Sequence, residues 1–424
     1  MANTDEKKLQ EEINEQEIFH PENMLVDLTY NIPIKDQKML LGKYNGFQRY
    51  DNYKYPFAKQ IERAMRQAFW TPEEISLISD REKFKTLDKG VQEVVINNLL
   101  FQTLMDSAQN RGLDSVMAQL VTSSEWEAAF KTQAFFELIH SLSYSHIIRE
   151  MFSSDASNVF DRIYQIPQIK KRTDKEIAAY DFVKGWLDGR LVLPLEELKK
   201  HIVILLVHIF FLEGLKFYVS FLVTYITNES TNDSIPGVAK IIKLINFDED
   251  MHVSLVGGVI NILQRMPNEG FSHLFNSPWY HEHVTEIVKG IVEDEVEWGK
   301  YLLKLGKIPG LTEKTLNSFM KYYANNRLQK IGLPPLYKDE INKPDLVIWF
   351  ENYKDINKDN TAQQEATAIN YNIGTMELDY GDKDLKAILQ DLLDDSPMGR
   401  QAKKAKLANA EKAEKEKKDK DKPN

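Results

Sequence analysis

The sequence predicts an all-α fold, a bundle of long helices with a dinuclear metal site in its core. Three observations lead there. Between about residues 56 and 335, apolar residues recur at helical spacing over long segments. Alternating apolar and polar runs closed by hairpin turns are scarce. Carboxylates and histidines interrupt the most apolar segments at helical intervals.

Residues 1–55 are polar, rich in Asn, Asp, Lys and Tyr, and without sustained period, so they read as an N-terminal arm. The helical domain, 56–335, follows. Within it, Val91, Val94, Val95, Leu99, Phe101, Leu104 and Met105 step at helical intervals through 89–109. The next helix opens at Ser124, where Ser124 and Glu127 have the spacing of a capping box, and runs to about Phe152. Further helices are expected at 193–226, 237–265 and 283–305.

The run 202–226 is long enough to span a bilayer. His208, Glu213 and Lys216 interrupt its middle, where ionisable groups are costly in lipid, so it reads as a helix buried all round inside protein. From 336 to 424 the composition changes again. "GLPPLYKDEINKP" gives way to a polar stretch, then to Leu385, Ile388, Leu389, Leu392 and Leu393 on one helical face, and finally to a Lys/Glu-rich end. This part is expected to be a flexible tail.

A formal net charge of −10 argues against general nucleic-acid binding, which needs a basic surface. With no cysteine, disulfides, Cys-ligated metals and thiol nucleophiles are excluded. Any metal must be held by His and carboxylates. The polar N-terminus lacks the apolar core of a secretory signal, so the cytoplasm is the expected location.

In "FFELIHSLSY", Glu137, His140 and Tyr144 stand at i, i+3 and i+7 and share one helical stripe. "INFDEDMH" repeats the pattern with Glu249 and His252. Glu17 and His20 also match, but in the polar arm, so the spacing alone is not specific. Context makes the difference, because a lone carboxylate in an apolar helix is strongly penalised or forced neutral.

Two more such carboxylates occur, Asp106 in "FQTLMDSAQ" and Glu213 in "FFLEGLKF". Taken singly, Asp106 has a local cap or pair open to it, and Glu213 a pair with Lys216. Taken together, the four segments carry two carboxylate-plus-imidazole sets and two single carboxylates. That inventory matches the di-iron or di-manganese carboxylate site of ferritin-like bundles, with Asp106 in place of one Glu. Four carboxylates neutralise two hard divalent cations, and one imidazole each leaves positions open for dioxygen. Tyr144 lies one turn beyond His140. Phe217 and Phe221, after Glu213, and Ile245, before Glu249, are placed to wall off a dry compartment around it.

The segments "LMDSAQNRG", "FFELIHSLSYSHIIR", "FLEGLKFYVSF" and "FDEDMH", in that order, make residues 56–375 resemble the small, radical-generating subunit of class I ribonucleotide reductase. The resemblance implies ligation by Asp106, Glu137 and His140 at one metal and by Glu213, Glu249 and His252 at the other, some carboxylates bridging. It implies a stable radical on Tyr144 in a pocket of Phe217, Phe221 and Ile245. Trp70 in "AFWTPEE", Asp248 and Tyr371 in "QEATAINYNIG" fall on its radical-transfer positions, with Tyr380 the alternative to Tyr371.

It further implies a homodimer that works with a large catalytic subunit, without nucleic acid or membrane. The metal pair is expected to be Fe/Fe, with Mn/Mn or Mn/Fe compatible, activated by O2. Phe247 stands where the family often has Arg, and a long charged extension follows Tyr371. A dinuclear oxygenase or oxidase on the same bundle is the competing reading, and an iron-storage bundle a more distant one.

Overall fold

The computed structural model describes residues 32–43 and 47–356, and there the helical periods become helices. Ten have nine residues or more: α1 (Pro56–Gln67), α2 (Lys89–Gly112), α3 (Ser124–Phe152), α4 (Pro167–Leu187), α5 (Leu195–Phe211), α6 (Tyr218–Ser230), α7 (Pro236–Arg265), α8 (Pro278–Leu305), α9 (Glu313–Lys330) and α10 (Asp345–Tyr353). A single bridge, Leu40 with Val121, is the extent of β pairing among the described residues.

Four helical segments close a ring. α2 packs on α3, α3 on α7, α7 on α5 and α6, and α6 returns to α2. α1 lies across α3 and α7, while α4 and α8 cover α5 and α2 from outside. Burying each Leu, Ile or Phe of this interior stabilises the fold by about 1.5–3 kcal/mol. Nearly every residue from Leu205 to Phe221 is fully buried. Leu195–Ser230 is long and apolar enough to cross a membrane, yet 89% of its most apolar window is covered by protein. The ring of helices is its solvent.

The structure departs from the sequence reading in four places. The segment expected as one helix over 193–226 is two, α5 and α6, joined by a π-helical turn at Leu212–Lys216. The capping box at Ser124 does not form: Ser123 occupies the cap without a side-chain bond, and Ser124 Oγ instead accepts from the Arg49 backbone N–H at 3.2 Å.

The end of the 1–55 arm is stitched to the fold. Met39 and Leu40 are buried, and Thr122 donates to Met39 O at 2.9 Å. Finally, α10 lies inside the segment expected as tail from 336. It packs because Val347 and Phe350 give it a buried side against α6 and α9.

Candidate metal centre

The ring of helices brings together all six ligands read from the sequence, each with 0% exposure. Asp106 comes from α2, Glu137 and His140 from α3, Glu213 from the π turn, and Glu249 and His252 from α7. Their ligand atoms form two groups, Asp106/Glu137/His140/Glu249 and Glu137/Glu213/Glu249/His252, each within 4.8 Å of one another. Glu137 and Glu249 belong to both, the arrangement two bridging carboxylates require.

Both imidazoles turn Nδ1 inward. His140 Nδ1 is 3.2 Å from Glu249, 3.5 Å from Glu137 and 3.8 Å from Asp106. His252 Nδ1 is 3.0 Å from Glu249, 3.1 Å from Glu137 and 3.9 Å from Glu213.

These groups crowd without satisfying one another. Both oxygens of Asp106 and of Glu137, one each of Glu213 and Glu249, and Nδ1 of His140 are buried without a hydrogen bond. Buried polar atoms are ordinarily paired, so a convergent set of orphaned O and N donors fits hard divalent cations. The electrostatics agree. Burial, then the neighbouring Glu137, pushes Asp106 and Glu213 well above the usual carboxylate range. Burial opposes a charge on His252, yet the adjacent Glu137 and Glu249 carboxylates lift its pKa to about 9. The box demands positive charge. Two divalent ions would supply it and let all four carboxylates ionise.

Around the cluster, Asp248 Oδ2 accepts from Trp70 Nε1 at 2.8 Å and lies 3.1 Å from His140 Nε2. The indole only donates, so Oδ2 is an acceptor, and an N–H on His140 Nε2 finds its partner there. Nδ1 is left facing the carboxylates; burial opposes a charge on this ring, yet Asp248, Glu137 and Glu249 hold its pKa well above the ordinary value. Trp70 is itself buried at 5% exposure, next in the chain to the exposed Phe69, so the line leads outward from the fully buried His140 and Asp248. Tyr144 is fully buried, and its hydroxyl has no hydrogen bond of good geometry. Burial, then the nearby Asp106 and Glu249 charges, raises its pKa well above that of a free phenol.

Phe217 and Phe221 stack at 5.6 Å, and with Ile245 they are fully buried. Phe247 packs, partly buried, against the core. Tyr371, Tyr380 and the Leu385–Leu393 stretch lie outside the described residues.

Glu213 does not pair with Lys216, which turns away from the cluster to the buried Glu176 Oε2 at 2.6 Å. Its real supports escaped the sequence reading. Gln133 donates to Glu213 at 2.8 Å, Gln109 donates to the same oxygen, and Tyr180 donates to Gln109 at 2.9 Å. Tyr180 reaches Gln109 across Gly112, where a Cβ would fall 2.4 Å from the phenol ring. A usable signal existed: Gln109 is one turn after Asp106, and Gln133 one turn before Glu137.

Comparison with known proteins gives the same reading. A ribonucleoside-diphosphate reductase subunit beta from Buchnera aphidicola (subsp. Baizongia pistaciae) is 32% identical over 82% of this chain and 95% of its own. The ribonucleoside-diphosphate reductase 1 subunit beta of Salmonella typhimurium is 31% identical over 84% of this chain and 96% of its own. The ribonucleotide reductase R2 subunit of Clostridium botulinum superposes with a TM-score of 0.69 at 26% identity, covering 78% of this chain and 98% of its own. Residues 48–344 match the family described as ribonucleotide reductase, small chain, and the chain belongs to that family: it is a small, ferritin-like subunit of a ribonucleoside-diphosphate reductase.

Proposed function

We propose that Asp106, Glu137, His140, Glu213, Glu249 and His252 hold a pair of iron ions, with manganese the alternative, and that Tyr144 is the residue this chain oxidises to a radical. When bound, the metal pair supplies dioxygen activation, and with it an oxidant strong enough for a phenol.

The protein's own part follows from its side chains. Glu137 and Glu249, which belong to both groups, would serve both ions, while Asp106 and Glu213 would each serve one. Gln109 and Gln133 aim Glu213. Tyr144, protonated at rest, gives up one electron and its proton, and full burial keeps water and reductants from quenching what remains. Asp248 holds both N–H groups of the line from His140 to Trp70, through which the oxidising equivalent leaves. Tyr371 then passes it to the large subunit. This chain has no cysteine, so thiol chemistry on the ribonucleotide belongs to that partner.

The Trp70–Asp248–His140 line carries the reading, since an oxygenase or oxidase on the same bundle has no use for a conductor leading away from the metals. Ferrous iron and oxygen added to the apoprotein, followed by electron paramagnetic resonance and ribonucleotide reduction with a large subunit, test it. A metal-loaded, oxygen-reacted protein with no tyrosyl signal, tried with iron and with manganese, would favour the oxidase.

The same reading includes a homodimer. α3 carries the ligands on one face and Phe135, Leu138 and Leu142, 44–51% exposed, on the other, with Phe69 stacked on Phe135 at 6.0 Å. Such a stripe is self-complementary across a two-fold axis. The net charge of −10 supports working without nucleic acid, and the covered α5–α6 segment supports working off the membrane, in the cytoplasm.

A further inference from the structure

Glu213 sits on the π turn Leu212–Lys216, and such a turn widens the helix and takes backbone groups out of their i−4 ladder. A freed carbonyl in a core this dry needs a donor from elsewhere. Two guanidinium groups provide one each. At the far end, Arg172 of α4 donates to Lys216 O at 3.3 Å, and Lys216 Nζ returns a bond to Arg172 O at 2.6 Å. Beside the ligand itself, Arg327 of α9, 4% exposed, donates from Nε to Gly214 O at 3.0 Å.

Arg327 does more than fill that gap. Its Nη2 donates to the Tyr218 hydroxyl and lies 3.5 Å from Asp250 Oδ1, to which Tyr218 also donates at 3.1 Å. Gly214 is next to Glu213 and Asp250 is next to Glu249, so one planar fork ties the backbone beside one ligand to the side chain beside another. The fit has no slack. A Cβ on Gly214 would lie 2.8 Å from Arg327 Nε and 3.1 Å from both Arg327 Cδ and Val253 Cγ2. The residue next to the ligand is a glycine because the guanidinium occupies the space of its side chain.

We propose that Arg327, seated against Gly214, is a positioning residue for the metal centre: it holds the wide turn in the register that brings Glu213 to the ion it shares with His252. The proposal rests on the metal reading above. Arg327 touches no ligand atom, and its effect falls mainly on one of the two ions: Glu213 belongs to only one ligand group, while Asp250, beside the shared Glu249, keeps Lys354 and Tyr218 as partners without it.

Manganese(II) alone, titrated calorimetrically into the full-length apoprotein, tests this together with amide hydrogen exchange of residues 212–218. Two variants perturb the seat from opposite sides. Arg327→Lys keeps the charge and loses the fork; Gly214→Ala keeps the fork and blocks its approach. Wild type is expected to take up two ions per chain. Each variant should bind one of them about 10- to 100-fold more weakly, hold the other as before, and exchange faster at 212–218.

Unchanged binding, equal weakening at both ions, or loss of the fold in both variants overturns the proposal, because a general packing role predicts no asymmetry between ions. Wild type that binds no manganese overturns the metal reading and this one with it. Wild type that binds two while the variants match it overturns this one alone.

Discussion

Tyr144→Phe separates chemistry from folding. The hydroxyl is fully buried with no hydrogen bond of good geometry, so the fold bears a desolvation cost of about 1–3 kcal/mol for it. Removing one oxygen leaves a hole of roughly 12 Å³, which at about 24 cal/mol per Å³ costs about 0.3 kcal/mol. The apoprotein should therefore gain on the order of 1 kcal/mol, a rise of about 1–2 °C in Tm for a domain of this size. None of the six ligands loses an atom, so manganese(II) stoichiometry and affinity stay as in wild type. The tyrosyl signal after ferrous iron and oxygen disappears. Thermal melts of apoprotein, a manganese titration and electron paramagnetic resonance read the three. A Tm lower by several degrees would show that the phenol holds a bond to Asp106, and a surviving tyrosyl signal would put the radical on another tyrosine.

Other perturbations separate the remaining parts. Asp248→Asn keeps an oxygen for the Trp70 and His140 donors but loses the charge that makes His140 Nδ1 a good donor to metal; manganese(II) affinity in a chelator competition should fall about 10- to 100-fold, and an unchanged affinity would remove Asp248 from the metal's support. Burial alone would raise the Glu176 pKa, but Lys216 and His208 hold it below its ordinary value of 4.5. A depressed folded-state carboxylate stabilises fully above its unfolded pKa and loses that contribution as pH falls through the lower, folded value. Glu176→Gln should thus flatten the acid limb of the Tm–pH curve below about pH 4.5. At pH 7 it should cost about 3–5 kcal/mol, because Lys216 is left buried without its carboxylate. Leu138→Asp on the exposed face of α3 should convert dimers to monomers in sedimentation while leaving metal uptake intact; a variant that stays dimeric would move the interface elsewhere.

How much the sequence disclosed depended on how far each feature's partners lie along the chain. The candidate ligands were legible because Glu137 with His140 and Glu249 with His252 are one helical turn apart, inside segments too apolar to tolerate them unpaired. Their supports were not. Gln109 meets Glu213 across 104 positions, Tyr180 meets Gln109 across 71, and Arg327 meets Gly214 across 113. No local period announces such contacts.

The π turn was hidden for a related reason. Its apolar pattern continues through α5 and α6, and only tertiary donors such as Arg172 and Arg327 make the wider register tenable. Lys216, three residues from Glu213, was a plausible local partner until α4 offered Glu176. The capping box at Ser124 failed because a backbone N–H from far upstream, at Arg49, claimed the hydroxyl first.

The apolar span of α5 and α6 has a consequence for biosynthesis. As it leaves the ribosome it meets the hydropathy criterion of a membrane anchor, with a mean hydropathy of 2.1. Lys216 near its middle would cost about 2.5–3.5 kcal/mol at the centre of a bilayer, and His208 and Glu213 add to that barrier. α4 precedes this span in the chain, so Glu176 is already synthesised when His208 and Lys216 emerge to bind it. Glu213 has to wait for Glu249 and His252, which are translated later. The polar side chains gathered at and beside the candidate metal centre would therefore also weigh against insertion of this span into lipid while the chain is still being made.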